Sequence, residues 1–169
     1  MFFSYLFRRS VVKNMHGSPR SLQNSTISRM GPRLLELSPM LADAAFNVVT
    51  HEIISAGIEV HRTLGPGLLE SAYIPCLQYE LALRKLRFVT ERPVPIVYKG
   101  ITLDARYRID LIVEDTVVVE VKSVEQLLPV HQSQVVTYLR LTGCPAGLLI
   151  NFNVAKLTDG VKRLIHPRR

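Results

Sequence analysis

The chain has no tryptophan and only two cysteines, Cys76 and Cys144, among its 169 residues. Two cysteines this far apart make neither a disulfide framework nor a paired CxxC metal knuckle. We therefore expect two free thiols in a reducing, cytoplasmic compartment. No apolar run approaches the roughly 20 residues that a membrane-spanning helix needs, so we expect no membrane partner.

Acidic residues are nearly absent from residues 1–39, which carry six basic residues against the single acid Glu36. Residues 40–169 carry 15 basic and 13 acidic residues, a net charge of +2. The overall net charge of +7 is therefore concentrated in the first segment. For this reason it is no evidence for a polyanionic partner of the remaining chain.

The first segment also differs in composition, because it is rich in Ser and Arg and has only short apolar clusters. It lacks the bulk to bury a core, so we expect residues 1–39 to be mostly disordered. It fits an organellar transit peptide, a basic arm that touches phosphates, or an extension upstream of a true start near Met40. Periodic sequence begins just after Met40, which favours the third interpretation and predicts a domain over 40–169.

Hydrophobic periodicity predicts an α-α-β-β-β-α-β order in that domain. Pro93 and Pro95 indicate an edge strand or an irregular one, whereas the wholly apolar "AGLLINF" is typical of a strand buried on both faces. Residues 157–166 fit either a short strand or a short helix. The order predicts an α/β fold in which an antiparallel hairpin feeds a crossover helix. The predicted elements are helices over 41–64, 68–86 and 129–143, and strands over 88–100, 102–113, 116–123 and 146–152.

Three charged residues, Asp110, Glu120 and Lys122, interrupt the otherwise apolar stretch "RIDLIVEDTVVVEVKS". Burying charge without a partner is unfavourable, so buried charges normally pair or bind a metal. Glu120 and Lys122 are two apart on one strand and share a face. If residues 114–116 form a three-residue loop, Asp110 lies directly opposite Glu120, whereas a two-residue loop would destroy this arrangement.

Two carboxylates that face each other repel, and a divalent cation would compensate them. Carboxylate oxygens and water are the ligands that Mg²⁺ prefers. Lys122 could hold a water or meet charge on a substrate oxygen, which makes a site for metal-assisted hydrolysis. The other interpretation is an ordinary ion pair at the end of a sheet, since the spacing D-x9-E-x-K arises easily by chance.

Two further segments bear on this choice. Gln134 and Tyr138 are four apart and share one helix face; His131 fits a surface position better. Glu70 lies in the first turn of a helix, where its charge favours the dipole, or else it reaches the metal as a third carboxylate. Tyr73, one turn later, fits a packing role.

These residues together resemble a known pattern. The stretch "EVHRTLGPGLLESAY" resembles the signature of the GxxExxY family, with Gly67, Glu70 and Tyr73 at the named positions. The resemblance extends over about residues 45–165. That family is placed in the PD-(D/E)xK nuclease superfamily, which implies a restriction-endonuclease-like core with a mixed central sheet flanked by helices.

The resemblance implies roles for the charged residues. Asp110 is the motif aspartate, Glu120 the second acid and Lys122 the motif lysine, with Glu70 as the acid from the early helix. Gln134 and Tyr138 reproduce the QxxxY element of RecB-like members. Ile109 stands where the motif often has proline, a position that varies widely in the superfamily.

We therefore expect a nuclease that depends on Mg²⁺ or Mn²⁺ and cleaves phosphodiester bonds of nucleic acid, either DNA or RNA. Glu70, Asp110 and Glu120 would hold the metal with the backbone carbonyl of Val121, and Lys122 would position the water. Gln134 and Tyr138 would orient Lys122 or the phosphate. The alternative is a catalytically inactive nucleic-acid-binding or protein-interaction module on the same fold.

Overall fold

Three α-helices and a five-stranded sheet make up the part of the chain that the structure describes. The structure is a computed structural model that describes residues 32–166, and their side chains outside 32–45 and 104–107. The elements in chain order are α1 (Pro32–Leu64), α2 (Glu70–Leu83), β1 (Phe88–Tyr98), β2 (Ile101–Val113), β3 (Val117–Lys122), α3 (Pro129–Thr142), β4 (Ala146–Asn151), a 3-10 helix (Leu157–Gly160) and β5 (Val161–Ile165).

The sheet is mixed, with the strand order β1-β2-β3-β4-β5. Only β3 and β4 pair in parallel, through the crossover helix α3, and the other neighbours are antiparallel. The predicted α/β class and the element order through β4 are confirmed, and β1 with its two prolines is an edge strand. The sequence left residues 157–166 unassigned; they form the 3-10 helix and a fifth strand paired with β4.

The start of the first helix differs from the prediction. The helix begins at Pro32 instead of residue 41, so it crosses the predicted domain start at residue 40. Residues 1–31 lie outside the described part of the chain, and the division at residue 40 stays a prediction. None of the helices described between residues 32 and 166 combines the length and apolarity that crossing a membrane would require.

The hairpin of β2 and β3 has the three-residue register. Val113 pairs with Val117 and Leu111 with Val119, so the next step of this register puts Asp110 opposite Glu120. Glu114 and Asp115 both have positive φ, and the Thr116 N–H donates to the Val113 carbonyl at 3.1 Å. A tight turn therefore closes at Thr116, which stays outside the strand pairing and sets the register.

The sheet buries apolar side chains on both faces. Val117, Val119 and Val121 face a core shared with α1 and α2, as their alternation predicted. Val118 faces a second core with α3, so Glu120 and Lys122, at the same alternation, point to the α3 side of the sheet. Every residue of β4 is buried, which confirms the prediction of a strand covered on both faces.

Close contact between α3 and β4 depends on Gly147. A Cβ atom there would lie 2.5 Å from Cγ1 of Val135 and 3.5 Å from Cδ2 of Leu139. Both valine and leucine belong to α3, so the missing side chain lets the helix settle against the sheet. Close packing at Gly147 thereby determines where α3 places Gln134 and Tyr138.

Candidate active site

The centre of the candidate site is an ion pair on β3. The Lys122 Nζ donates to Oε1 of Glu120 at 2.5 Å, and the two side chains are 13% and 3% exposed. The second carboxylate oxygen of Glu120, Oε2, is buried and has no hydrogen-bond partner among the described atoms. Since a buried carboxylate oxygen normally has a partner, this atom needs an explanation.

Asp110 reaches the same region from β2. Its Oδ2 accepts a hydrogen bond from the Val121 backbone N–H at 2.8 Å, between Glu120 and Lys122 in sequence. The structure thus brings Asp110, Glu120 and Lys122 together, as the predicted register requires.

The electrostatics show too little positive charge for the acids present. The pKa of the Glu120 carboxyl is raised to about 7, first by burial and then by the charge of Asp110, although the bond from Lys122 opposes the shift. Burial also raises the pKa of Asp110 against the opposing bond from Val121. An added cation would therefore stabilise the ionised form of both carboxylates and lower their pKa values.

Lys122 keeps its proton in this environment. Burial lowers the pKa of the ammonium, but the hydrogen bond to Glu120 and the charges of Glu120, Glu70 and Asp110 outweigh that effect and raise it. The amine is therefore a cation and hydrogen-bond donor near neutral pH, and not a base.

Glu70 approaches the end of β3 from the first turn of α2. Its Oε1 accepts a hydrogen bond from the backbone N–H of Ser123 at 3.2 Å, and its charge contributes to the raised pKa values of Glu120 and Lys122. Glu70 therefore fits both a place in the first turn of α2, where its charge favours the helix dipole, and a place at the border of Glu120 and Lys122.

The loop before Glu70 is held by Tyr73. Its hydroxyl donates to the carbonyl of Gly65 at 2.7 Å and accepts from the N–H of Leu68 at 3.2 Å. The ring is fully buried and stacks on Phe152 with centroids 4.4 Å apart. Gly67 has a φ of +100°, which a side chain would disfavour. The spacing of Gly67, Glu70 and Tyr73 thus has a physical reason: Gly67 permits the turn, Glu70 borders the charged residues, and Tyr73 anchors the turn.

Gln134 and Tyr138 interact with each other on α3. The Gln134 amide donates to the Tyr138 hydroxyl at 3.0 Å, and that hydroxyl donates to the carbonyl of Arg108 at 3.1 Å. Burial and then the charges of Glu120 and Asp110 raise the pKa of the Tyr138 phenol, against the bond from Gln134. The pair thus borders the acids and fixes β2 two residues before Asp110. Its predicted role in orienting Lys122 or a phosphate stays a prediction.

The fit of a metal ion depends on the carboxylate oxygens. Among the side chains that the structure describes, no group of three or more His, Cys, Asp or Glu is arranged to hold one, and the ligand set of Glu70, Asp110 and Glu120 stays a prediction. The free Oε2 of Glu120 and the raised pKa values of both strand carboxylates nevertheless fit a divalent cation. Carboxylate oxygens are hard donors of the kind that Mg²⁺ prefers.

The sequence reasoning missed two residues that border the site, Ser123 and Asn151. Ser123 follows Lys122 and binds Glu70 through its N–H. Asn151 ends β4 and is buried beside the end of β3. The available signal was the polar Asn in the otherwise apolar run "AGLLINF", since a buried amide needs partners.

The profile of the PD-(D/E)XK nuclease superfamily matches residues 47–164 of the chain. This span begins within α1, ends in β5 and includes every candidate site residue named above. Comparisons with curated proteins and with solved structures give no significant match.

Proposed function

The chain belongs to the PD-(D/E)XK nuclease superfamily, and on that premise we propose that it is a metal-dependent nuclease cleaving phosphodiester bonds of nucleic acid. The observation that carries the proposal is the buried Glu120 carboxylate, bonded to Lys122 through one oxygen while the other has no partner. An ordinary ion pair does not explain the oxygen without a partner, whereas a role as a cation ligand does explain it.

In this proposal, Asp110 and Glu120 hold Mg²⁺ or Mn²⁺ together with the backbone carbonyl of Val121, and Glu70 adds a third carboxylate. The bound ion would supply positive charge that acidifies a water and neutralises the phosphate. Glu120 has two separate oxygens for two tasks, because Oε1 binds Lys122 while the buried Oε2 has no hydrogen-bond partner and would bind the ion.

Lys122 acts in this mechanism as a donor. Its raised pKa keeps the amine protonated, so Nζ donates a hydrogen bond to the attacking water or to a phosphate oxygen as negative charge develops. Gln134 and Tyr138 orient Lys122 or the substrate phosphate, and they hold β2 through the carbonyl of Arg108.

Within the superfamily, we assign the chain to the GxxExxY family. The support is that the three named positions, Gly67, Glu70 and Tyr73, serve one local structure at the border of the site. The nucleic-acid partner follows from the proposed chemistry. The near balance of charge over residues 40–169 speaks for modest affinity, because tight sequence-independent binding rests on many phosphate contacts. A cytoplasmic location stays a prediction.

Substituting Asp110→Ala or Lys122→Ala tests the proposal. Each change should lower the cleavage rate by at least about 100-fold, because Asp110→Ala removes a ligand of the proposed metal and Lys122→Ala removes the donor that meets developing negative charge. Cleavage would be measured on single- and double-stranded DNA and RNA with Mg²⁺ or Mn²⁺, and circular dichroism would verify the fold.

Matched controls are Asp159→Ala, an exposed carboxylate on the 3-10 helix, and Lys162→Ala on the exposed side of β5. Both should cleave like the wild type. Cleavage that survives in both Asp110→Ala and Lys122→Ala refutes the assignment.

The alternative function is a catalytically inactive module that binds nucleic acid or protein. The observation in its favour is that the described side chains include no group of three or more His, Cys, Asp or Glu arranged around one metal position. Melting temperatures with and without Mn²⁺ separate the two. Stabilisation by the ion without cleavage of any substrate would favour the inactive module.

A further inference from the structure

Asn151 is a buried polar side chain to which the proposed mechanism assigns no task. It is the last residue of β4, is 2% exposed, and pairs in register with Lys122 at the end of β3. The Phe152 N–H donates to the carbonyl of Lys122 at 2.8 Å. Backbone pairing between the two parallel strands therefore stops where the candidate lysine lies.

The amide of Asn151 extends this pairing beyond the strand ends. Its Nδ2 donates to the carbonyl of Val124 at 2.8 Å, and its Oδ1 accepts from the N–H of Val124 at 3.0 Å. Oδ1 also accepts from the N–H of Asn153 at 3.2 Å. One side chain thus holds both backbone groups of Val124, as a neighbouring strand would.

The segment between Lys122 and Val124 is also held from the opposite side. The N–H of Ser123 donates to Glu70 at 3.2 Å, and the Ser123 hydroxyl donates to the carbonyl of Leu68 at 2.5 Å. Ser123 is therefore fixed between the Asn151 amide on one side and the start of α2 on the other. Because Glu70 and Lys122 both depend on where Ser123 lies, this segment links two elements of the site.

We propose that Asn151 is a positioning residue that fixes residues 122–124, and so sets the relative position of Lys122 and Glu70 in the nuclease site. The inference rests on the proposed function for its catalytic consequence only. Asparagine suits the task because a short planar amide offers one donor and one acceptor to the backbone groups of one residue. Aspartate lacks the donor, and alanine lacks both groups.

The test compares Asn151→Ala and the isosteric Asn151→Asp with a matched control, Asn153→Ala, which keeps the backbone N–H that contacts Asn151. Amide hydrogen exchange of Ser123 and Val124 is measured in full-length protein below the melting temperature. Exchange should be about 10-fold faster in Asn151→Ala, because about one net hydrogen bond of stabilisation is lost locally. Exchange in Asn151→Asp should be at least as fast, since it keeps the acceptor for the Val124 N–H but turns a second acceptor oxygen toward the Val124 carbonyl.

The kinetic and metal readouts distinguish positioning from general structural support. We expect kcat to fall about 10-fold in Asn151→Ala with KM nearly unchanged, and the Mn²⁺ dissociation constant to rise, at temperatures where each variant is folded. Asn153→Ala should match the wild type in all three measurements.

A lowered melting temperature with wild-type exchange at Ser123 and Val124 and unchanged Mn²⁺ affinity would overturn the proposal. Should Asn151→Ala fail to fold, Asn151→Asp decides by the same criteria. If the wild type cleaves nothing, the proposed function fails, while exchange and Mn²⁺ affinity still decide whether Asn151 positions the segment.

Discussion

Glu120 shows why a charged residue persists in an apolar strand. Moving a carboxylate out of water is strongly unfavourable, and Lys122 compensates only part of that loss. The rise of the Glu120 pKa to about 7 reflects the part of that loss that Lys122 does not compensate. A side chain selected for stability alone would be apolar here, which supports the ligand role that we propose for Glu120.

Replacing Lys122 with methionine should expose this imbalance. Lys122→Met keeps the apolar stem and removes the charge, so an ionised Glu120 would be buried without its partner. Unfolding free energy at pH 8 should fall by about 1–1.5 kcal/mol, because a Glu120 carboxyl without its partner takes up a proton, and this protonation limits the loss. At pH 5 the loss should be much smaller, because Glu120 is then protonated. Urea unfolding at both pH values provides the measurement.

The control for this change is Lys162→Met on β5, where the lysine is exposed. Its unfolding free energy should stay close to that of the wild type at both pH values. An equal loss for Lys122→Met at both pH values would show that packing of the lysine stem, and not the charge of Glu120, determines the effect.

At the scale of elements, the hairpin and α3 decide which charged residues meet. The sequence allowed either a two-residue or a three-residue loop after Val113. The structure has a tight turn that leaves Thr116 unpaired, and this one residue determines whether Asp110 faces Glu120. Local periodicity could not decide between the two, because both loops preserve the alternation within each strand.

The packing of α3 on β4 makes a second prediction. Gly147→Ala places a Cβ about 2.5 Å from Cγ1 of Val135, so α3 must shift or the valine must leave its rotamer. We expect a loss of about 1–3 kcal/mol in unfolding free energy and a reduced kcat, because α3 carries Gln134 and Tyr138.

Gly57→Ala in α1 is the matched comparison, measured by the same urea unfolding. Its Cβ would lie 3.0 Å from the flexible end of Leu157, and alanine improves helix propensity by up to about 1 kcal/mol. The two effects should nearly cancel. Equal losses for both variants would contradict the view that the contact between α3 and β4 is the tighter one.

At the scale of the whole molecule, the acids at the site couple stability to pH and to metal. The folded-state pKa of Glu120, about 7, lies above its ordinary value of 4.5. Between these values the folded protein holds a proton that the unfolded chain has released, so unfolding free energy falls as pH rises. Burial of Asp110 acts in the same direction.

Without divalent ions, the melting temperature should therefore fall between about pH 5 and pH 8. Glu120 should contribute a loss of up to about 3 kcal/mol in unfolding free energy over this range. Mg²⁺ binds ionised carboxylates, so it should raise the melting temperature more at pH 8 than at pH 6. Thermal unfolding in EDTA and in Mg²⁺ across this range measures both effects. A metal-free melting temperature that rises with pH would contradict the assignment of Glu120 as the dominant group.

The sequence by itself determined the α/β class, the element order through β4, and the presence of Asp110, Glu120 and Lys122 in otherwise apolar strands. These are properties of periodicity and residue type along a short stretch, and each is visible locally. The tertiary structure decided the rest: the fifth strand, the bond between Glu70 and Ser123, the Asn151 amide at Val124, and the contact of Tyr138 with the carbonyl of Arg108. Each of these joins segments far apart in the chain, and whether distant polar groups meet depends on how strands and helices pack, which no local pattern specifies.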